Sequence, residues 1–283
     1  IAHDLAKAGF FELAIECLES AFSSLTDQNL GALPLIFYTL GWLHLQTKDK
    51  KEAKYYFIKA AKESPDYCFA HRLVEIEILQ TAMQVNPKDT FAPYYLGNLF
   101  YDRGRYAEAI KLWKQSAKLN PDFSIVWRNL GIAYFNILRD SKKANEAYNQ
   151  AFRANPNDAR ILFERDQLWK RLGEKPEKRL RTLTKRLNLV QQRDDLSVEL
   201  CALYNQTNRH DQASTLVASR QFQPWEGGEG GPLGQHVRAQ LALGRAALAN
   251  QDFTKARAHF EHALTSPRNL SEARHLLANQ SNL

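Results

Sequence analysis

Apolar residues along this chain mostly recur at the three-and-four spacing of buried helix faces, and the period-two alternation of a half-buried strand is absent. The helices so marked are short and end on the same punctuation. Asn86-Pro87 returns as Asn120-Pro121, 34 positions on, and as Asn155-Pro156, 35 positions after that. Asn tolerates the left-handed conformation that closes a helix and Pro cannot continue one, so each step predicts a helix ending on a left-handed Asn. A period of about 34 residues is that of a helix-turn-helix unit stacked on its neighbours.

Each unit repeats small and bulky residues in a constant order. The fullest set is Trp127, Leu130, Gly131 and Tyr134 on a first helix, then Ala144, Tyr148 and Pro156, with one extra residue at the turn between Leu138 and Ser141. The unit before it has Leu96, Gly97 and Phe100, then Ala109, Trp113 and Pro121. An earlier one has Phe37, Leu40 and Gly41, with His44 in place of an aromatic, then Ala53, Phe57, Ala60 and Pro65. A late one has Leu243, Gly244 and Ala247, then Ala256, Phe260, Ala263 and Pro267. Small residues let paired helices approach, and bulky ones fill the gap to the next pair. This order resembles the tetratricopeptide repeat (TPR), which implies an all-α, right-handed superhelical solenoid of antiparallel helix pairs.

The remaining chain is read as weaker versions of that unit in a single array over 1–283. Residues 1–33 form a truncated repeat, 34–66 a repeat and 67–89 one irregular helix. Repeats follow at 90–123 and 124–158, then a degenerate pair at 159–193 broken by Gly173 and Pro176. Further repeats occupy 194–222 and 236–269, separated by a Gly-rich loop at 223–235, and 270–283 is expected to cap the end. An array buries its core through neighbour contacts, so length alone does not demand two domains. Ile1 and the single Met, Met83, are read as signs of a piece of something longer.

Composition narrows the function classes. The charge is +7 with pI about 9.2, and the excess gathers at Lys170, Arg171, Lys175, Lys178, Arg179, Arg181, Lys185 and Arg186. Only Trp169 is near, and Leu168, Leu172, Leu180, Leu183 and Leu187 give the segment an inward face, so a solvated helix face is expected ahead of a nucleic-acid surface. Three cysteines far apart (Cys17, Cys68, Cys201) argue against a disulfide framework and for a reducing compartment, the cytoplasm. The uncharged stretch from Gln28 to Thr47 approaches membrane-spanning length, but Gly41, His44 and Gln46 and its register with the repeats make it a buried first helix.

Two constellations are candidates for binding. The loop around Trp225, Glu226 and Glu229 carries four glycines and two prolines between Gln223 and Pro232. Loops on rigid scaffolds concentrate function, and an indole stacks on apolar or sugar faces; a linker with Trp225 tucked against a helix is equally open. It is not a nucleotide loop, because no Lys-Ser/Thr follows and carboxylates repel phosphate. The second set lies on first helices, which line the concave face of TPR arrays: Asn98, Arg128, Asn129, Arg160 and Arg165. These resemble part of the carboxylate clamp of chaperone-binding TPR proteins, departing from it at Tyr94 and Glu164. The alternative is that Asn98 and Asn129 simply bond packed helices together. Catalytic and metal patterns are missing: Cys68-x-x-His71 has no second pair, and His259 and His262 have no third ligand near.

From Tyr67 onward, Tyr94 to Leu99, Trp127 to Gly131, Phe163 to Leu168 and Pro224 to Gly230 resemble the C-terminal TPR region of large bacterial proteins that begin with a domain of unknown function. That resemblance implies a carbohydrate setting. The expectation is a non-catalytic scaffold without cofactor or metal, whose partner is a protein, a peptide or its own N-terminal domain, with no nucleic acid and no membrane. The other reading is an accessory region of a carbohydrate-active enzyme, with the Trp225 loop contributing to a sugar site.

Overall fold

The computed structural model describes residues 1–23, 31–223 and 225–271. It divides into two compact units, Ile1–Asn155 and Pro156–Leu283. The first holds α1 (Ala2–Lys7), α2 (Phe11–Ser23), α3 (Leu33–Gln46), α4 (Lys50–Ala60), α5 (Val74–Val85), α6 (Phe91–Asp102), α7 (Tyr106–Leu119), α8 (Ser124–Asn136) and α9 (Ser141–Ala154). The second holds α10 (Ala159–Arg171), α11 (Pro176–Thr184), α12 (Leu187–Val190), α13 (Asp194–Gln206), α14 (His210–Ala218), α15 (Gly231–Ala249) and α16 (Phe253–Ala263), then a 3₁₀ turn at Arg268–Leu270. The described residues contain no strand, and the fold is all-α.

The paired helices touch through one repeated contact. A Cβ placed on Gly41 would lie 2.8 Å from the Phe57 ring, on Gly97 2.5 Å from Trp113, on Gly131 2.7 Å from Tyr148, and on Gly244 2.5 Å from Phe260. In three of these pairs the ring follows the glycine by sixteen positions; in the third it follows by seventeen, because of the extra residue in the α8–α9 turn. The position opposite the missing Cβ thus receives the flat face of a ring from the second helix. In the α13–α14 pair Cys201 takes the small-residue place and Val217 the ring's, both fully buried.

The turns correct one expectation. Asn86, Asn120 and Asn155 do cap helix C-termini, but at φ −124°, −136° and −137° they are extended and not left-handed. Each precedes a proline, whose ring bars the helical region to the residue before it and pushes it to β. Besides a few outside the pairs, left-handed residues lie instead in the other turn, inside each pair, at Gly9, Lys48, Gly104, Arg139, Gly173, Asn208 and Gln251. There the next N–H reaches back to a carbonyl of the last helical turn, as Asp49 to His44 at 2.8 Å, Arg105 to Phe100 at 2.8 Å and Asp252 to Ala247 at 2.9 Å. These are Schellman closures, which satisfy carbonyls that a helix end leaves open. Asp49, Asp140 and Asp252 then start the second helix, their carboxylates accepting from the backbone N–H three residues on.

Other features follow from this frame. His44, standing where the repeat has an aromatic, stacks on Tyr56 with ring centroids 5.3 Å apart. Residues Phe37 to Leu43 are buried in α3, and no described helix is long and apolar enough to cross a membrane. The Gly-rich loop ends sooner than 235: α15 starts at Gly231, with Gly230 left-handed before it and Pro232 in its first turn, where a missing N–H costs nothing. The capping helix expected over 270–283 falls, beyond Ser271, outside the described residues.

Two outcomes are expected. Gly131→Ala should lower stability by about 1–3 kcal/mol, because the Tyr148 ring must shift within a packed pair; the urea midpoint measures it. In the second unit His236 is buried in α15, its Nε2 3.1 Å from the His262 carbonyl oxygen. Burial lowers its pKa against the opposing pull of that carbonyl. The unfolded chain therefore binds the proton more readily, so stability is full above the ordinary histidine range and falls as pH drops through it. Urea midpoints at pH 7.5 and 5.5 should differ less in His236→Gln than in the parent chain.

Candidate functional site

Three of the five first-helix candidates meet in the first unit. Asn98 projects from α6, and Arg128 and Asn129 from α8. Asn98 Oδ1 accepts from Trp113 Nε1 on α7 at 3.0 Å and from Asn129 Nδ2 at 3.0 Å. Arg128 donates to Asn129 Oδ1 at 3.4 Å. The Tyr94 pKa is raised, by burial first, although Asn98 and the Arg128 charge work the other way. The result is a half-buried polar ladder that ties α6, α7 and α8 together and carries one guanidinium. The amides bond helix to helix, and one guanidinium lies beside them.

The other two candidates lie in the second unit and are differently used. Arg160 is exposed, and its Nε donates to Glu164 Oε1 at 3.0 Å, an (i, i+4) pair on α10. Arg165 is buried, with its guanidinium carbon 4.7 Å from the Trp169 ring centroid. Burial pulls its pKa down to about 10 against the raising effect of Asp166.

The loop candidates fold back on their own chain. Trp225 is half-buried and its indole covers Gly228: a Cβ there would fall 1.9 Å from Cε2. Gly228 N–H donates to the Trp225 carbonyl at 3.1 Å, and Gly227 N–H to Glu229 Oε1 at 3.1 Å. Gly227 and Gly230 are left-handed at φ +79° and +74°. The glycines are thus accounted for by the turn itself. Glu226 is exposed. Just upstream, Asp194 holds the approach to the loop, accepting from Gln223 N–H at 2.7 Å and from the Arg220 guanidinium.

Sequence reasoning missed a buried ionic cluster in the second unit. Arg179 was expected on a solvated face; its side chain is 3% exposed, between Asp166 at 2% and Glu199 at 9%. Arg179 Nε donates to Asp166 Oδ1 at 3.1 Å, and its NH2 group donates to Asp166 Oδ2 at 2.6 Å and to Glu199 Oε1 at 2.5 Å. Lys170 and Gln167 complete Glu199 from the other side, at 2.9 and 3.1 Å. Burial opposes the charged form of Glu199, but Lys170 and Arg179 outweigh it and lower its pKa. Burial likewise works against the Arg179 charge, and the two carboxylates raise its pKa nonetheless. The available signal was spacing: Asp166 and Lys170 share a face of α10, and Arg179 stands one turn before the inward Leu183 of α11. Lys178 also pairs, with Glu174, so the basic run is partly neutralised. Among the described residues no group of three or more His, Cys, Asp or Glu is placed to hold a metal ion.

Comparison with known proteins identifies the repeat. Models of the tetratricopeptide repeat match residues 35–67 and 228–277, and a model described as TPR repeat matches 97–137. Among solved structures, the chain is similar to YrrB, a TPR protein with an unusual peptide-binding site, at 15% identity and TM-score 0.48, over 72% of this chain and 97% of that one. MamA matches at 16% identity and TM-score 0.44 over 73% and 93%. PilF of Pseudomonas aeruginosa matches at 16% and 0.43 over 77% and 86%.

Removing one member of the buried cluster strands the others. Arg179→Met should cost about 3–5 kcal/mol, since it leaves Asp166 and Glu199 desolvated side by side. Arg181→Met, on an exposed position of the same helix, should change stability by less than about 0.5 kcal/mol. Urea unfolding of the two variants side by side checks this.

Proposed function

Because the chain is a tetratricopeptide-repeat protein, we propose that it is a non-catalytic scaffold that captures a protein or peptide segment on its first-helix face. The observation that carries this reading is the ladder from Trp113 through Asn98 to Asn129 and Arg128. Helix-to-helix bonds hold its amides in fixed orientation, so little side-chain entropy is lost when a ligand arrives. Amide groups match the donors and acceptors of a peptide main chain, and the guanidinium favours an anionic group, a side-chain or terminal carboxylate. The partner is a protein segment of that kind, the N-terminal region of a longer form of this chain included. The tetratricopeptide fold is generally non-catalytic, and two of the histidines are hydrogen-bonded within it: His259 Nδ1 lies 2.7 Å from Gln240 Oε1, and His236 bonds a backbone carbonyl.

Peptide-display selection on the immobilised chain tests the proposal. Selected peptides should be anionic, and Arg128→Glu should weaken them by about tenfold or more with an unchanged melting temperature. Asn129→Ala should weaken them too, at a smaller cost in stability than Asn98→Ala, which also deprives Trp113 of its acceptor. Peptides that bind Arg128→Glu as well as the parent chain would remove this face from the function.

A further inference from the structure

The fold divides the basic run of the second unit in two. Arg179 turns inward to Asp166 and Glu199, and Lys178 pairs with Glu174. Arg181 and Lys185 do neither. Both are exposed, and their side chains make no ion pair among the described residues. Glu177, the one acidic residue of α11, is exposed and makes none either. Lys178, Arg181 and Lys185 are spaced by three and four positions, which sets them in one row along the helix. That row lies on the side of α11 away from the buried Arg179, Leu180 and Leu183. Arg181 and Lys185 are like charges one turn apart, an arrangement that mildly destabilises a helix, so the fold itself gains nothing from keeping both.

The leucines expected to face inward with this run divide likewise. Leu168, Leu180 and Leu183 are buried, but Leu172 is 41% exposed and Leu187 45%. Leu172 closes α10 just before α11 begins, and Leu187 opens α12 just after α11 ends. Both stand where the helical register is broken, Leu172 beside the left-handed Gly173 and Leu187 beside Arg186 at φ −134°. A single exposed leucine is ordinary; here two of them bracket one row of cations. A nucleic acid would match the cations and leave the leucines bare. It would also want a ring for its bases, and the indole of Trp169 already carries the Arg165 guanidinium at 4.7 Å and the Lys178 ammonium at 5.2 Å.

We propose that α11 and its two flanking leucines form a docking surface for an acidic segment of a partner protein, with carboxylates in a row and an apolar side chain at each end. The carboxylates meet Arg181, Lys185 and Lys178, and the apolar ends pack on Leu172 and Leu187. The nine residues of α11 span about 14 Å at the helical rise, so an extended segment of about six residues covers the row and reaches both leucines. Charge of one sign steers the segment in, and the apolar ends set its register. This surface belongs to the second unit and owes nothing to the Asn98–Asn129 ladder of the first.

The test is fluorescence polarisation with a fluorescein-labelled, end-capped peptide of sequence Leu-Glu-Asp-Glu-Asp-Leu. It uses the 283-residue chain carrying Arg128→Glu, so that the ladder's cation is absent and the two surfaces are told apart. Saturable binding is expected. Its Kd should rise about tenfold in Arg181→Gln with Lys185→Gln and about fivefold in Leu172→Ser with Leu187→Ser. All four side chains are exposed, so melting temperatures should hold. A peptide with serine in place of both leucines should bind about fivefold more weakly, and the paired leucine substitutions should then cost it nothing further. Absent binding, a Kd indifferent to either pair of substitutions, or a single-stranded oligothymidylate that displaces the peptide and binds more tightly would overturn the proposal.

Discussion

The close approach of paired helices at a glycine is the constraint on which the rest of this molecule depends. At Gly41, Gly97, Gly131 and Gly244 the first helix has no Cβ where the second brings a ring, and no side chain fits between them. That contact sets the distance within a pair and fixes which face of the second helix turns inward. It buries Phe57, Trp113 and Tyr148 and leaves the outer positions to solvent. Helices of eleven to fourteen residues, as α4, α6 and α9 are, gain little from intrinsic propensity alone, so packing of this kind supplies most of their stability.

The same contact explains how the polar residues beside it become ordered. Trp113 is drawn against Gly97 by packing, and its N–H then has to find an acceptor; Asn98, the next residue on the first helix, provides it. Asn98 is thereby oriented for Asn129 on the following first helix. A packing requirement at one position thus becomes a polar surface at the next. The ladder is a structural tie between α6, α7 and α8.

Carboxylates have two uses here. Asp49, Asp140 and Asp252 cap helices and are at least partly solvated. In the second unit, where Gly173 and Pro176 shorten the α10–α11 pair and no glycine–ring contact holds it, the Arg179 cluster occupies the space between α10, α11 and α13. A guanidinium with two carboxylates binds in fixed directions and so specifies geometry where apolar packing is thin.

Much was legible in the sequence because its cause is local. The helical period, the Leu-Gly pairs with their downstream rings, and the extra residue before Ser141 are statements about neighbours in the chain, and each has its counterpart in the α-helical pairs. The Asn-Pro steps marked helix ends correctly, yet their conformation was misread, since the proline's restriction on the preceding residue outweighs the tolerance of Asn for a left-handed turn. What only the tertiary structure decided depends on residues farther apart: that Asn98 faces Asn129 and that Arg179 is enclosed by Asp166 and Glu199. Composition counts a charge or a ring wherever it lies, but burial and partnership come from packing, and packing is set by contacts that no local pattern encodes.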